Sequence, residues 1–390
     1  MNLFDMDEFE DISSENFDDI NVLLNDIQQA VIWGTDWTTG TIVSQIERGI
    51  IDLKPKFQRR EAWDDRRKSS FIESVILGLP IPQIILAEKK EKKGTYIVID
   101  GKQRLISLRR FFAKREDQEF PPLRLKGMSI INNLNSKSFE DISSDPELES
   151  FSSQIENFPI RTIVIKNWPN EEFLYNVFLR LNTGSLPLAP QELRQALHPG
   201  NFIDFTDEFS ISSQQIKKVL NIKKPDYRMR DIELVIRYFS FKYFINSYKG
   251  NLKFFFDNTV EVLNSSWEQQ SYHIRETADQ LNAAIDATYA IFGNNAFSKW
   301  KNNNFDSRFN RAIFDIMVYY FSNPEIRDIA LTKPNEIQTE FKTLCDTNID
   351  FLNSFETSTK NVQPTNTRFS TWGICLARIC GIRIDIPNLL

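Results

Sequence analysis

The most regular stretch of the chain lies between residues 55 and 112, where short apolar runs alternate with apolar positions at helical spacing. One helix is predicted to start near Asp64 or Asp65 and to stop before Pro80 and Pro82; its apolar stripe comprises Phe71, Ile72, Val75, Ile76 and Leu79. Buried strands are predicted at residues 83–87 and 96–99, and a second helix carries Leu105, Leu108, Phe111 and Phe112. The predicted order is therefore loop, helix, strand, charged hairpin tip, strand, turn and helix.

The remaining pattern predicts a change of architecture near residue 200. Residues 132–157 are polar and favour a loop or a weak helical insertion, and residues 158–165 then favour a strand. From about Ile203 apolar stripes of helical period continue almost to the end of the chain, and a terminal helix at residues 365–382 is expected to close the bundle. For 390 residues we predict an acidic leader at 1–30, an α+β domain at 31–200 and an all-helical domain at 201–390.

A polar cluster interrupts the pattern where the second strand meets its helix. It comprises Asp100, Gly101, Lys102, Gln103 and Arg104. A strand-to-helix turn offers free backbone N–H groups and the positive end of the helix dipole, and glycine lets a ligand approach the backbone. Lys102 and Arg104 lie in the first helical turn, where cations are unfavourable without an anionic partner, and a phosphate would supply one. The alternative is a solvated turn in which Asp100 caps the helix.

A second corner lies between Phe178 and Leu197. Asn182, Thr183 and Gly184 are predicted to end one helix, and Pro190 to begin the next, with Glu192 in its first turn. The pattern is also consistent with an ordinary corner between two helices.

These segments resemble the N-terminal domain of GmrSD type IV restriction enzymes, a family related to the ParB and sulfiredoxin-like fold. The resemblance rests on boxes in matching order and spacing: Phe57, Gln58, Arg59 and Trp63; Gly78 to Pro82; Asp100 to Arg104; and the segment from Phe178 to Leu197. It implies a ParB/sulfiredoxin-like fold for the N-terminal domain.

The resemblance also implies binding and hydrolysis of a nucleoside triphosphate with Mg²⁺. The implied catalytic residues are Asp100, Gln103 and Arg104, with Asp100 and Asn182 as metal ligands. The implied nucleotide-binding residues are Gln58, Arg59, Arg60, Gly101, Lys102, Arg180, Asn182, Thr183, Gly184 and Arg194. Lys102 stands where the family usually has glutamine; lysine can contact phosphate as a point charge but cannot orient a water as an amide does.

Three functional classes follow. The first is an NTP-hydrolysing component of a restriction-type or anti-phage defence system that senses or acts on DNA, with a separate nuclease or defence subunit as partner. The second is a non-catalytic module switched by nucleotide, and the third is a nuclease with the ParB-like fold. Many relatives carry a C-terminal HNH nuclease, but this chain has only His198 and His273, so we expect that domain to be missing.

Charge is distributed unevenly along the chain. Residues 1–47 carry eleven acidic residues and no lysine or arginine, whereas residues 48–126 carry twenty basic and eleven acidic residues, a net of +9. Such a stretch could receive a nucleic-acid backbone, and the acidic leader could occupy the same face or serve only as a solubilising tail. Three cysteines without zinc spacing and the lack of a membrane-length apolar run favour a cytoplasmic protein. A homo-oligomer is compatible with the sequence.

Overall fold

The computed structural model describes residues 29–53, 62–181, 189–356 and 360–390. The chain divides into two compact units between Leu197 and His198. The N-terminal unit is built around a mixed β-sheet, and the C-terminal unit is mainly helical, so the α+β class predicted from the sequence is confirmed.

The N-terminal unit contains five strands and seven helices among its described residues. The strands are β1 (Val31–Thr38), β2 (Ile51–Asp52), β3 (Ile84–Glu88), β4 (Tyr96–Asp100) and β5 (Pro159–Lys166). The helices are α1 (Thr39–Glu47), α2 (Asp65–Ile76), α3 (Lys102–Phe111), α4 (Phe139–Ser143), α5 (Glu149–Asn157), α6 (Glu171–Leu181) and α7 (Pro190–Leu197). Two 3-10 turns, Asn132–Leu134 and Pro146–Leu148, complete the insertion that the sequence predicted between α3 and β5.

The sheet has the order β1-β5-β3-β4-β2. Strand β5 pairs antiparallel with β1 and parallel with β3, while β4 pairs antiparallel with β3 and parallel with β2. The central strands β3 and β4 are therefore hydrogen-bonded on both sides, which fixes the position of the β4 end at which the polar cluster begins.

Alternate residues of β4 pack into two different hydrophobic cores. Tyr96 and Val98 join the core formed with α1, α2, α3 and α5, whereas Ile97 and Ile99 join the core formed with α6 and α7. This two-residue alternation is the geometry of a strand covered on both faces, and it explains why the sequence of β4 is continuously apolar.

Helix α2 begins where the sequence predicted. The side chain of Asp64 caps it by accepting a hydrogen bond from the Arg67 N–H at 2.8 Å. The helix ends at Ile76, and Gly78 follows with a φ of +67°, so the chain turns before the two prolines are reached. Trp63 packs against the core beside Phe71, with ring centroids 6.0 Å apart.

The C-terminal unit carries ten helices in its described residues. They are α8 (Asn201–Ser212), α9 (Gln214–Val219), α10 (Arg230–Phe244), α11 (Leu252–Ser265), α12 (Trp267–Phe292), α13 (Arg311–Phe321), α14 (Pro324–Thr332), α15 (Pro334–Thr347), α16 (Ile349–Asn353) and α17 (Val362–Cys380). An antiparallel hairpin of β6 (Ser298–Lys301) and β7 (Asn304–Phe309) interrupts the helices. The expectation of an all-helical domain was therefore wrong in this segment. Asn302 and Asn303 take positive φ angles there and close a two-residue turn typical of hairpins.

Helix α17 closes the helical core as predicted, with Trp372 and Arg368 fully buried. Arg237 of α10 donates to Asp315 of α13, with Nη2 2.7 Å from Oδ2, and Nη2 of Arg368 lies 3.8 Å from the same oxygen. Burial lowers the pKa of Arg368 to about 10 despite the nearby carboxylate of Asp315. The carboxylate of Asp315 on α13 therefore lies beside the positively charged guanidinium groups of Arg237 on α10 and Arg368 on α17.

Helix α11 carries three consecutive phenylalanines. Phe255 and Phe256 are core residues, but Phe254 is 65 % exposed, because three consecutive helical positions cannot all face inward. The three cysteines are buried thiols. Among the described residues, no helix combines the length and apolarity needed to cross a bilayer.

Candidate nucleotide site

The polar cluster lies at the junction of β4 and α3. Asp100 is the last residue of β4, and Gly101 is the N-cap of α3 in the left-handed region, with a φ of +96°. No side chain caps the helix, so the alternative in which Asp100 is the cap was wrong. A Cβ atom on Gly101 would lie 3.1 Å from both Arg104 Nη2 and Ile84 Cγ1, so the glycine allows the guanidinium to pack against the turn.

Arg104 folds back over this turn. Its Nη2 donates to Asp100 Oδ2 at 2.9 Å and to the Gln83 carbonyl oxygen at 3.0 Å. The side chain of Arg104 is 8 % exposed and that of Asp100 is 32 % exposed, so the carboxylate is the solvent-facing partner. The anionic partner of this first-turn cation is therefore a carboxylate of the chain itself.

Lys102 also has an internal carboxylate partner. Its Nζ lies 2.7 Å from Glu192 Oε1 of α7, and both side chains are less than a tenth exposed. The other oxygen of Glu192 accepts a hydrogen bond from the Ala189 N–H at 2.8 Å, which caps the start of α7. One carboxylate thus joins the start of α3 to the start of α7.

Two buried donors near these ion pairs are unused. Arg104 Nε and Gln191 Nε2 have no hydrogen-bond partner among the described residues. Arg104 is 6 % exposed and Gln191 is 1 % exposed, and a buried donor without an acceptor is costly. An acceptor such as a phosphate oxygen would satisfy either group.

The other candidate residues occupy different positions. Gln103 accepts the Trp63 N–H through Oε1 at 3.3 Å, which links α3 to the residues just before α2. Arg180 is exposed on α6 and donates to Asn176 Oδ1 at 2.6 Å. Arg194 is buried on α7 and donates to Gln191 Oε1 at 2.7 Å. Arg194 therefore belongs to the helix that carries Glu192.

Some predicted residues lie outside the described parts of the chain. These are Phe57, Gln58, Arg59 and Arg60 before α2, and Asn182, Thr183 and Gly184 between α6 and α7. Their assignments remain predictions from the resemblance. The flanking residues are described: Trp63 follows the first segment, and Ala189 follows the second and contacts Glu192.

The described residues fit an Mg²⁺–polyphosphate ligand in their donor chemistry. Two cations, two unused N–H donors and a left-handed glycine turn suit phosphate oxygens. The partly exposed carboxylate of Asp100 is the kind of oxygen ligand that Mg²⁺ prefers. Because both cations are already neutralised, a bound phosphate would have to exchange with or add to the carboxylates.

Sequence reasoning missed the contributions of Gln191 and Glu192 to this site. Glu192 was noted only as an acidic residue in a first helical turn, which is common and favourable by itself. The signal available was the density of polar residues around Leu193, namely Gln191, Glu192, Arg194 and Gln195, on a predicted helix; the structure buries all four.

The two histidines of the chain lie in different surroundings. His198 is buried in the C-terminal unit with Nδ1 3.3 Å from Glu261 Oε1. The side chain of His273 is 63 % exposed beside Glu276. One histidine is therefore buried and the other exposed.

The fold and the site define a mixed α+β domain with a charged strand–turn–helix junction. Residues 39–199 match the family model described as GmrSD restriction endonuclease, N-terminal domain. Residues 39–199 of the chain are therefore a GmrSD-type N-terminal domain, and this domain implies a role related to restriction or defence. The family comparison found no C-terminal HNH domain in the chain. No curated protein sequence matches it.

Proposed function

We propose that the N-terminal unit binds a nucleoside triphosphate with Mg²⁺ at the Asp100–Arg104 turn and hydrolyses it. In this proposal the protein is a component of a restriction-type defence system that senses or acts on DNA, together with a separate nuclease or other defence subunit. The observation that carries the proposal is the unused Nε donor of buried Arg104, held against a left-handed glycine turn within the domain matched to the family.

The chemistry of the turn suits phosphoryl transfer, which requires positioning and charge neutralisation more than covalent catalysis. Arg104 and Lys102 would neutralise phosphate oxygens, and the backbone N–H groups of residues 101–103 would cradle them. Asp100, with Asn182, would hold Mg²⁺ or a water molecule. Bound Mg²⁺ would supply further charge neutralisation at the phosphates.

A test is phosphate release from each of the four NTPs with Mg²⁺, with and without DNA. We expect Arg104→Ala to abolish release, because it removes both the charge and the unused donor. Arg104→Lys keeps the charge but lacks the planar fork, so we expect a loss of at least about tenfold. Arg115→Ala is the matched control, since Arg115 has a 64 % exposed side chain and pairs with surface carboxylates.

The thermal unfolding of each variant separates a lost site from a lost fold. Release that persists in folded Arg104→Ala would contradict the proposal. Binding of nucleotide without release would instead support the second class, a switch. The buried Lys102–Glu192 pair favours that class specifically, because a nucleotide that replaced one partner would alter the link between α3 and α7.

A further inference from the structure

We infer that the Glu192 carboxylate competes with phosphate for Lys102. The carboxylate holds the Lys102 ammonium in an ion pair until a polyphosphate takes the place of the carboxylate. This inference rests on the proposed function of the Asp100–Arg104 turn and adds a regulatory residue to that site. It assigns Glu192 a positioning role, since its carboxylate contacts Lys102 and the backbone of Ala189 rather than a reacting group.

The first step of the argument is charge. Lys102 Nζ and Glu192 Oε1 are 2.7 Å apart with side-chain exposures of 9 % and 7 %, so water screens this pair weakly. A phosphate approaching Lys102 meets a neutralised cation and a nearby negative carboxylate. Both effects weaken its binding for as long as the Glu192 carboxylate is in place.

The second step is geometry. The same carboxylate uses its other oxygen to accept the Ala189 N–H, the first described backbone group after the corner predicted at Asn182–Gly184. Lys102 lies in the other predicted phosphate-binding turn, 90 residues away in sequence. Glu192 therefore joins Lys102 to the start of α7, and loss of the contact with Lys102 leaves its carboxylate free to cap α7 alone.

Glu192→Gln tests the competition because the amide oxygen can still accept the Ala189 N–H while the negative charge is removed. With the full chain, calorimetric titration with inorganic tripolyphosphate and with each NTP, both with Mg²⁺, should give a Kd about tenfold lower than in the wild type. Glu91→Gln removes the same charge from an exposed position and should leave the Kd within about twofold.

The stability of the ligand-free variant provides a second readout. Glu192→Gln leaves a buried lysine without its carboxylate, so the melting temperature should fall without ligand and rise more than in the wild type when tripolyphosphate is added. In a Lys102→Met background, Glu192→Gln should tighten binding much less than in the wild type, since the cation for which the carboxylate competes has been removed and only the repulsion between carboxylate and phosphate is relieved.

The outcomes separate this inference from the proposed function. If the wild type binds tripolyphosphate or an NTP and folded Glu192→Gln binds it equally or more weakly, the competition is disproved while nucleotide binding stands. If neither protein binds any of these ligands, both proposals fail. Tightening by the same factor in the Lys102→Met background would also overturn the inference, because the effect would not pass through Lys102.

Discussion

Gly101 determines the local geometry of the candidate site. Its left-handed backbone turns the chain from β4 into α3 and leaves room for the Arg104 guanidinium, which would lie 3.1 Å from any Cβ at this position. Arg104 in turn contacts Asp100 and the Gln83 carbonyl oxygen. A single residue without a side chain therefore allows a cation, a carboxylate and two strand ends to meet.

We expect Gly101→Ala to lower the free energy of unfolding by about 2–3 kcal/mol, from backbone strain plus crowding against Arg104 and Ile84. Gly94→Ala is the matched control: its φ is +78°, but no described atom lies within 4 Å of its Cβ position. The control should lose only the backbone part, about 1 kcal/mol. Urea denaturation measures both, and equal losses would show that crowding at Gly101 is unimportant.

At the scale of elements, a buried carboxylate on α2 holds the loop that follows α3. Glu73 is 4 % exposed and accepts hydrogen bonds from the N–H groups of Ser129, Ile130 and Ile131 and from the Ser129 hydroxyl, at 2.7–3.1 Å. Burial raises the pKa of Glu73, but together these hydrogen bonds lower the pKa by more than burial raises it. The net pKa therefore lies below its ordinary value of 4.5. The ionised form therefore stabilises the loop.

This lowered pKa predicts a pH-dependent contribution to stability. Because the pKa is lower in the folded state, the contribution is complete above pH 4.5 and is lost as the pH falls through the folded-state pKa. Glu73→Gln presents an amide N–H₂ to backbone donors, and we expect it to cost about 2 kcal/mol at neutral pH.

Urea denaturation of Glu73→Gln and the wild type from about pH 7 to about pH 3 measures this contribution. The difference between their free energies of unfolding should shrink toward the acid end. Glu147→Gln, at an exposed position, serves as the control and should show no such trend. A constant difference across the range would contradict the assignment of ionised Glu73 as the group that holds the loop.

Over the whole molecule, the basic segment from Arg48 to Lys126 is partly neutralised by carboxylates of its own unit. Two carboxylates from outside the segment pair with its cations: Asp141 with Arg115 and Arg124, and Glu192 with Lys102. Hydrogen bonds from Ser138 and from Arg115, together with the charge of Arg124, hold the pKa of Asp141 below its ordinary value. The field available to a nucleic-acid backbone is therefore smaller than the net charge of the segment suggests.

Deleting residues 1–30 tests whether the acidic leader competes for this face. Under that hypothesis the deletion should strengthen DNA binding at low salt, with a gain that disappears as the salt concentration rises. Fluorescence anisotropy with one duplex across a salt series measures the effect. Unchanged affinity at low salt would discard the hypothesis and leave the leader as a solubilising tail.

The sequence by itself determined the features that depend on neighbouring residues. The strands β3 and β4, the turn at Gly101, the start of α2 and the apolar stripes of α10, α12 and α13 all follow from spacing within about twenty residues. The sequence also determined the family of the N-terminal domain, because the family's sequence boxes occur in the same order along this chain.

Only the tertiary structure decided which groups distant in sequence contact one another. Lys102 meets Glu192 across 90 residues, Glu73 meets Ser129 across 56, and Trp33 of β1 pairs with Val164 of β5. A local pattern shows that a cation needs an anion but cannot choose among the carboxylates of the chain. That choice depends on how α7, the loop after α3 and β1 pack against the rest of the unit, and burial then gives each pairing its strength.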